Sequence, residues 1–473
     1  MDRIGATEGH HFRHLPDTHR HHRSFVRHRR GVPVKDTYPV SSVAQSKPQL
    51  QEPNSQKVCL PDTCLPIRQV AICEDDAQKF EREQMNSREF PGGDATEIEL
   101  KVESTAIGKG AFGSVFPATL VWTKDGVPQE KKIVLKQGRR IEEEYQGSKD
   151  MEERARKKIR EFGNLLAYQQ GMGCVSLIRG IQLGDQSEYA PVKLEFYDGE
   201  AMSTDVKFTT IGTDQQEKTS RRQKISRRVR TSQCLEKGQV TLQEFVPGHN
   251  CRDGIFEGKS PLYGKINGFP STLHAPIEIL TQVTLALMAI HEAGYIHGDI
   301  HLANIMVDYA HRDGREYVST KLVDLGFLNK IGNDLVVKNS NKPPEALSSY
   351  KVQPSYDMWL FGTVIMPILF GKQARDKYRY FFRNGFGYVR ENMRKTPAER
   401  RKYISDMFNK FNDALEKATK LKYPPDKLDI LIDLQAGLLN FDPNQRLSAE
   451  EALKILTELL VSPWPEQPSA QTQ

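Results

Sequence analysis

Long apolar runs are missing from this chain. Hydrophobic residues make up 38% of its 473 residues, and no stretch approaches the roughly 20 consecutive apolar residues that a bilayer-spanning helix needs. A membrane span is therefore not expected. The first residues carry no apolar signal-peptide core either, so the expected working site is intracellular and cytoplasmic. Cysteine is scarce: Cys59, Cys64, Cys73, Cys174, Cys234 and Cys251 are the full set. So few in so long a chain make no disulfide scaffold, and reduced thiols are expected. Cys59, Cys64 and Cys73 follow a His-rich tail, but their spacing matches no paired ligand pattern with two-residue gaps, which argues against zinc. Excess charge is also nearly absent from the body of the chain. Of the net +6, +4 falls in the first 30 residues, where seven arginines face Asp2, Glu8 and Asp17, leaving +2 for the rest. A nucleic-acid-binding domain would carry its cations on the folded part, so no nucleic-acid partner is expected.

What is present divides unevenly. Residues 1–95 combine Arg/His clusters with scattered prolines and no sustained periodicity, the composition of a disordered tail. Seven of the 13 histidines lie there. A short helix is expected within it at Asp75 to Arg88, before a break at Pro91-Gly92-Gly93. From residue 96 onward the pattern is that of a folded domain. Ile98, Leu100 and Val102 alternate with polar residues in a strand running to Ile107. Gly108-Lys109-Gly110-Ala111-Phe112-Gly113-Ser114-Val115 follows. Its three glycines let a backbone close over phosphates without an intervening β-carbon. It opens a hairpin rather than a helix, which disfavours a dinucleotide-binding turn. Ile133-Val134-Leu135-Lys136 is a strand whose cation stands at its end. Ser148 to Gln170 turns helical, with Ile159, Phe162, Leu165 and Leu166 on one face. Strands resume from Cys174 to Gln182. An insertion is expected at about 185–238, containing the basic run Arg221 to Arg230. Val240 to Gly248 reads as a buried strand entering a loop.

The second half opens on a helix from Pro276 to Gly294. It delivers the chain into His297-Gly298-Asp299-Ile300-His301-Leu302-Ala303-Asn304, the apolar run Ile305-Met306-Val307, and, after a second strand, Asp324-Leu325-Gly326. An Asp and an Asn five positions apart, followed by an Asp-x-Gly, supply one carboxylate to orient a hydroxyl and two oxygen donors for a divalent cation. Pro344-Glu345, Asp357-Met358-Trp359 and Asp442-Pro443-Asn444-Gln445-Arg446 come next, the last before a helix capped by Ser448 and Glu451.

In this order the motifs resemble a eukaryotic-type protein kinase domain. The resemblance implies an α+β, bilobal fold: a small β-rich N-lobe with one regulatory helix over 96–246, and a larger, mostly helical C-lobe over 247–463. Residues 464–473 would be a flexible tail. It implies ATP and Mg²⁺ as cofactors and a protein as substrate, with autophosphorylation as a further expected reaction. By the same resemblance, Gly108 to Gly113 and Val115 cover the nucleotide, and Lys136 reaches its α- and β-phosphates. Glu161 on the helix holds Lys136, with Glu153 as the fallback. Gln243, Glu244 and Val246 form the hinge, Asp299 is the catalytic acceptor, and Asn304 and Asp324 hold the metal. Glu345, Asp357 and Arg446 are structural.

Three departures from that pattern stand out. Gly298 replaces the arginine that grips a phosphorylated activation segment, which implies activity that does not wait for that event. Leu325 replaces a phenylalanine and keeps an apolar plug. Serine/threonine preference is expected over tyrosine, but His301 stands where serine/threonine kinases carry a lysine on the γ-phosphate, and a neutral imidazole stabilises developing charge less, which weakens that preference. His-Gly-Asp-x-His also resembles aminoglycoside and choline phosphotransferases. Pro344-Glu345 and the Asp357/Arg446 pair favour a protein substrate over a small molecule. A non-catalytic scaffold is the third reading, opposed by the presence of Lys136, Asp299 and Asp324 together. A long tail, a short activation segment and no phosphate-gripping arginine also resemble a bacterial effector delivered into a host cell.

Overall fold

The computed structural model describes residues 90–464 apart from 93, 111–112, 139–140, 163–165, 184–191, 198–200, 212–239, 265–267, 313–314, 335–341, 348–350, 376 and 378–384. The tail before residue 90, its expected short helix, Cys59, Cys64, Cys73 and the basic run at 221–230 lie outside the described residues.

The small lobe is built on strands that alternate. In β1 (Thr96–Glu103), Ile98, Leu100 and Val102 point inward between charged neighbours. β2 (Gly108–Gly110) and β3 (Gly113–Lys124) make the hairpin of the Gly-rich motif, and β3 runs antiparallel to β4 (Val127–Gly138). α1 (Ile141–Phe162) and the short α2 (Leu166–Gly173) follow, then β5 (Ile178–Leu183), β6 (Val192–Tyr197), β7 (Ala201–Ile211) and β8 (Val240–Glu244). The order is β1-β7-β6-β5-β8-β4-β3-β2, and β1 also pairs with β3, so the sheet closes on itself. Among the described strands of this sheet, β1 and β7 pair in parallel and the others antiparallel. Closure removes the open edges of the sheet and fills its interior with Leu100, Leu120, Trp122, Leu135, Phe196 and Leu242.

Within the insertion expected at 185–238, β6 and β7 complete the sheet. The domain begins ahead of residue 96: Phe90 is buried in the same core, beneath Lys131 and Arg179.

The large lobe carries α3 (Cys251–Glu257), α4 (His274–Glu292), α5 (Ser355–Phe370), α6 (Gly385–Asn392), α7 (Pro397–Thr419), α8 (Pro425–Leu438) and α9 (Ala449–Val461). α5 is buried from Tyr356 to Phe370. Each large side chain withdrawn there contributes on the order of 1.5–3 kcal/mol, which makes α5 the axis of the lobe. α9 starts with the expected reciprocal cap between Ser448 and Glu451. At the far end, Trp464, one residue past the expected limit of 463, packs edge-on against His274 and Tyr423. β9 (His249–Asn250), β11 (Ile305–Arg312) and β12 (Arg315–Leu322) form a small sheet in the order β12-β11-β9. β10 (Tyr295–Ile296) pairs with β13 (Asn329–Lys330).

Backbone hydrogen bonds join the two lobes. Ser176 N–H donates to the Leu322 carbonyl at 2.8 Å, and Leu322 N–H donates to that of Cys174 at 2.7 Å. β12, which ends just before Asp324, is thereby hydrogen-bonded to the segment that leads into β5. No described helix is long and apolar enough to cross a membrane.

Candidate active site

Directly paired residues of an antiparallel sheet share a face. Val115 pairs with Lys136, Lys136 with Thr241, and Val134 with Gln243. These five side chains therefore lie on one face of the small-lobe sheet, the face bearing Lys136. Gln243 is buried and donates weakly to Thr241 Oγ1. Gly113 closes the hairpin with φ +157°, and a Cβ there would overlap the Gln137 carbonyl oxygen at 1.6 Å, so only glycine fits. Gly108 and Gly110 make β2 with Lys109 between them. Ala111 and Phe112 lie outside the described residues.

Lys136 is the centre of the site. Its Nζ donates to Glu144 Oε1 at 2.8 Å and to Asp324 Oδ1 at 2.5 Å. Burial works against the ammonium charge, but Asp324 and Glu144 together outweigh it and hold the Lys136 pKa above its ordinary value. Burial likewise pushes against the Asp324 carboxylate, and Lys136 holds that group below its usual range. Burial pushes Glu144 up, opposed by Lys136.

The helix acid is therefore Glu144, not Glu161. Both lie on α1, but seventeen residues at about 1.5 Å per residue separate them by roughly 25 Å. Glu161 cannot serve a lysine that Glu144 already contacts. Glu153 is exposed. The helix starts at Ile141, ahead of the expected Ser148, which places Glu144 in its first turn.

Asp324 has φ +67° and ψ 77°, a conformation that is costly outside glycine. That backbone turns its side chain to accept from Gly326 N–H at 3.2 Å while bonding Lys136. Leu325 is buried behind it in the large-lobe core.

The loop carrying Asp299 is fixed from below. Asp357, fully buried at the start of α5, accepts from His297 N–H at 2.7 Å and Gly298 N–H at 2.8 Å. His291, from the last turn of α4, lies 3.0 Å from the same carboxylate, a third partner that the sequence did not reveal. Gly298 sits at φ +79°, with the Phe327 carbonyl oxygen 2.6 Å from where a Cβ would stand. His297 is fully buried, and burial lowers its pKa against the pull of Asp357, Asp299 and Asp324.

Asn304 Nδ2 donates to the Asp299 carbonyl at 2.9 Å and reaches its Oδ2 at 3.3 Å. That leaves the amide oxygen of Asn304 on the opposite side of the side chain. His301 Nδ1 accepts from Ala303 N–H at 3.1 Å, which leaves Nε2 as the protonated nitrogen, 3.4 Å from Asp299 Oδ2. At the hinge, Glu244 N–H is bonded to the Leu177 carbonyl and its carboxylate accepts from Lys321 at 2.6 Å. Val246 is half-buried in the strand-free connection that follows. Glu345 and Arg446 meet at 2.6 Å, away from this cluster.

The donor set fits ATP and Mg²⁺: an ammonium for phosphate oxygens, with Asn304 and Asp324 as oxygen ligands for the metal.

Residues 270–456 match the family model described as protein kinase domain. The chain is 25% identical to cyclin-dependent kinase G-1 of Oryza sativa subsp. indica over 237 residues, 45% of this chain and 33% of that protein. It is 24% identical to mitogen-activated protein kinase 15 of Mus musculus over 247 residues, 46% of this chain and 41% of that protein. A third relative, U-box domain-containing protein 33 of Arabidopsis thaliana, is 25% identical over 162 residues, 31% of this chain and 18% of that protein. The matched region thus spans well under half the length of these relatives. The segment that holds Asp299, Asn304, Asp324 and Arg446 is thus similar to a protein kinase domain, and the chain resembles two named kinases over less than half of its length.

Proposed function

We propose that this chain transfers the γ-phosphoryl group of ATP to hydroxyl groups of proteins, serine or threonine in preference to tyrosine, without prior phosphorylation of its activation segment. The observation that carries this reading is the position of Lys136, within hydrogen-bonding distance of both Glu144 and Asp324. The bound Mg²⁺ would supply charge neutralisation along the phosphates, held by Asn304 and Asp324.

Asp299 accepts the proton of the attacking hydroxyl as its oxygen bonds to phosphorus and the bond to the β-phosphate oxygen breaks, releasing ADP. Asn304 holds Asp299 through its carbonyl and carboxylate. His301 directs an N–H toward the same carboxylate from the place of the lysine in serine/threonine kinases. Gly298, lacking a cation, supports independence from a phosphorylated segment. The Glu345 and Arg446 pair supports a protein substrate.

The test uses purified chain with γ-labelled ATP and Mg²⁺. Label on the chain or on a generic protein is expected, falling by roughly 10³-fold or more in Asp299→Ala while folding and nucleotide binding persist. Nucleotide binding without transfer would indicate a scaffold. Label confined to an added aminoglycoside or amino alcohol would indicate a small-molecule phosphotransferase.

A further inference from the structure

α1 enters the site only through its first turns, yet its far half is tied to the large lobe. Ala155 packs with Tyr168 of α2 and Ala289 of α4 in a small core of its own, all three buried. Lys158, about 21 Å along the helix axis from Glu144, pairs with Glu292 at the end of α4 at 3.0 Å and lies 5.4 Å from the Tyr168 ring centroid. One turn nearer the site, the Arg154 guanidinium stands 5.8 Å from the ring of Tyr295, whose hydroxyl reaches Asp150 at 3.4 Å. Tyr295 belongs to β10, two residues before His297.

Resting on the kinase reading above, we propose that Arg154, Lys158 and Tyr295 are positioning residues: they hold α1 against the large lobe from within the chain, so that Glu144 meets Lys136 with no activating partner bound. An exposed ion pair by itself is weak. Here the apolar contact of Ala155 with Ala289 and Tyr168 supplies buried area, and the charged groups fix the angle and register of the helix upon it. A rigid helix transmits that register along its length to Glu144. Loosening the far end therefore displaces the acid from the lysine, and misplacement on the ångström scale is costly to transfer.

The experiment uses the full chain carrying Lys158→Glu and Tyr295→Leu, alone and together. In the double variant, backbone amides of α1 are expected to exchange with solvent about tenfold faster than in the parent, while those of α5 keep their rates. The KM for ATP is expected to rise about tenfold. Pairing Lys158→Glu with Glu292→Lys is expected to restore both quantities to within about threefold of the parent, a rescue that a merely structural role for Lys158 would not give. Should Tyr295→Leu fail to fold, Tyr295→Phe removes the Asp150 contact alone and is read against Lys158→Glu. Unchanged exchange of α1 in the double variant would overturn the proposal, as would a charge swap no better than the single change. Absence of any transfer in the parent chain would instead sink the kinase reading and leave the exchange measurement standing.

Discussion

Arg446 holds Glu345, 101 positions earlier, with both prongs of its guanidinium, Nη1 to Oε1 at 2.6 Å and Nη2 to Oε2 at 3.0 Å. The same group donates to the Ser355 carbonyl at 2.7 Å and the Asn440 carbonyl at 2.9 Å, and it stacks over Trp359. The turn carrying Glu345 is thus pinned to the start of α5 and to the turn before α9. A lysine has no planar fork to span these acceptors, so Arg446→Lys leaves Glu345 with an incomplete partner in a buried site. We expect a loss of about 1–3 kcal/mol in denaturant unfolding. A loss under about 1 kcal/mol would mean that the pair is as weak as an exposed one.

Glu144 and Glu161 offer a clean contrast on one helix. Glu144→Gln keeps a hydrogen-bonding side chain but withdraws the charge that helps hold Lys136 protonated and directed to the cleft. Transfer measured as kcat/KM for ATP should fall by up to roughly 100-fold, and Glu161→Gln should leave it within about twofold. Equal losses from both changes would place the helix acid elsewhere.

The difference between those two glutamates also marks what sequence reading can reach. Asp299, Asn304 and Asp324 were legible because metal-assisted phosphoryl transfer needs those side-chain types at short separations. Helical periodicity tells which face of a helix is buried but not where the helix starts. The apolar residues Ile159, Phe162, Leu165 and Leu166 drew attention to one end, whereas the first turn of α1 is rich in glutamate. Likewise Leu194 and Phe196 alternate as strand residues should, but the pairing of β7 with β1 spans more than 100 positions and leaves no local trace. His291, beside Asp357, was missed because it is one histidine on an apolar helix, with nothing in the spacing to name its partner.

Gly298 can be tested by restoring the residue that related loops carry. Gly298→Arg would put a side chain at φ +79° and against the Phe327 carbonyl. Strain of about 1–3 kcal/mol should appear as lost stability, with transfer reduced rather than made dependent on phosphorylation. An arginine variant of full stability and activity would show that the loop has another conformation available.

Glu278 provides a pH signature separate from catalysis. It lies on α4 facing Glu316 of β12, with Gln282 donating to it at 3.3 Å, and burial followed by the Glu316 charge pushes its pKa up to about 8. Tyr309 and Thr272 donate to Glu316, and His274 nearby is held below its usual pKa by burial. Since Glu278 binds its proton more tightly in the folded chain than an ordinary glutamate, near 4.5, does, its stabilising contribution is complete below that pH and is lost as pH rises toward about 8. The slope is at most about 1.4 kcal/mol per pH unit. His274 acts with the opposite sign, costing stability as pH falls below its ordinary 6.5, and because it is present in parent and variant alike its effect cancels from their difference. Allowing for its partial contact with solvent, Glu278→Gln should stabilise the chain by about 2 kcal/mol near pH 8 and change little near pH 5. Thermal unfolding at those two pH values decides it: a gain of equal size at both would show that packing, not the carboxyl proton, is what the substitution alters.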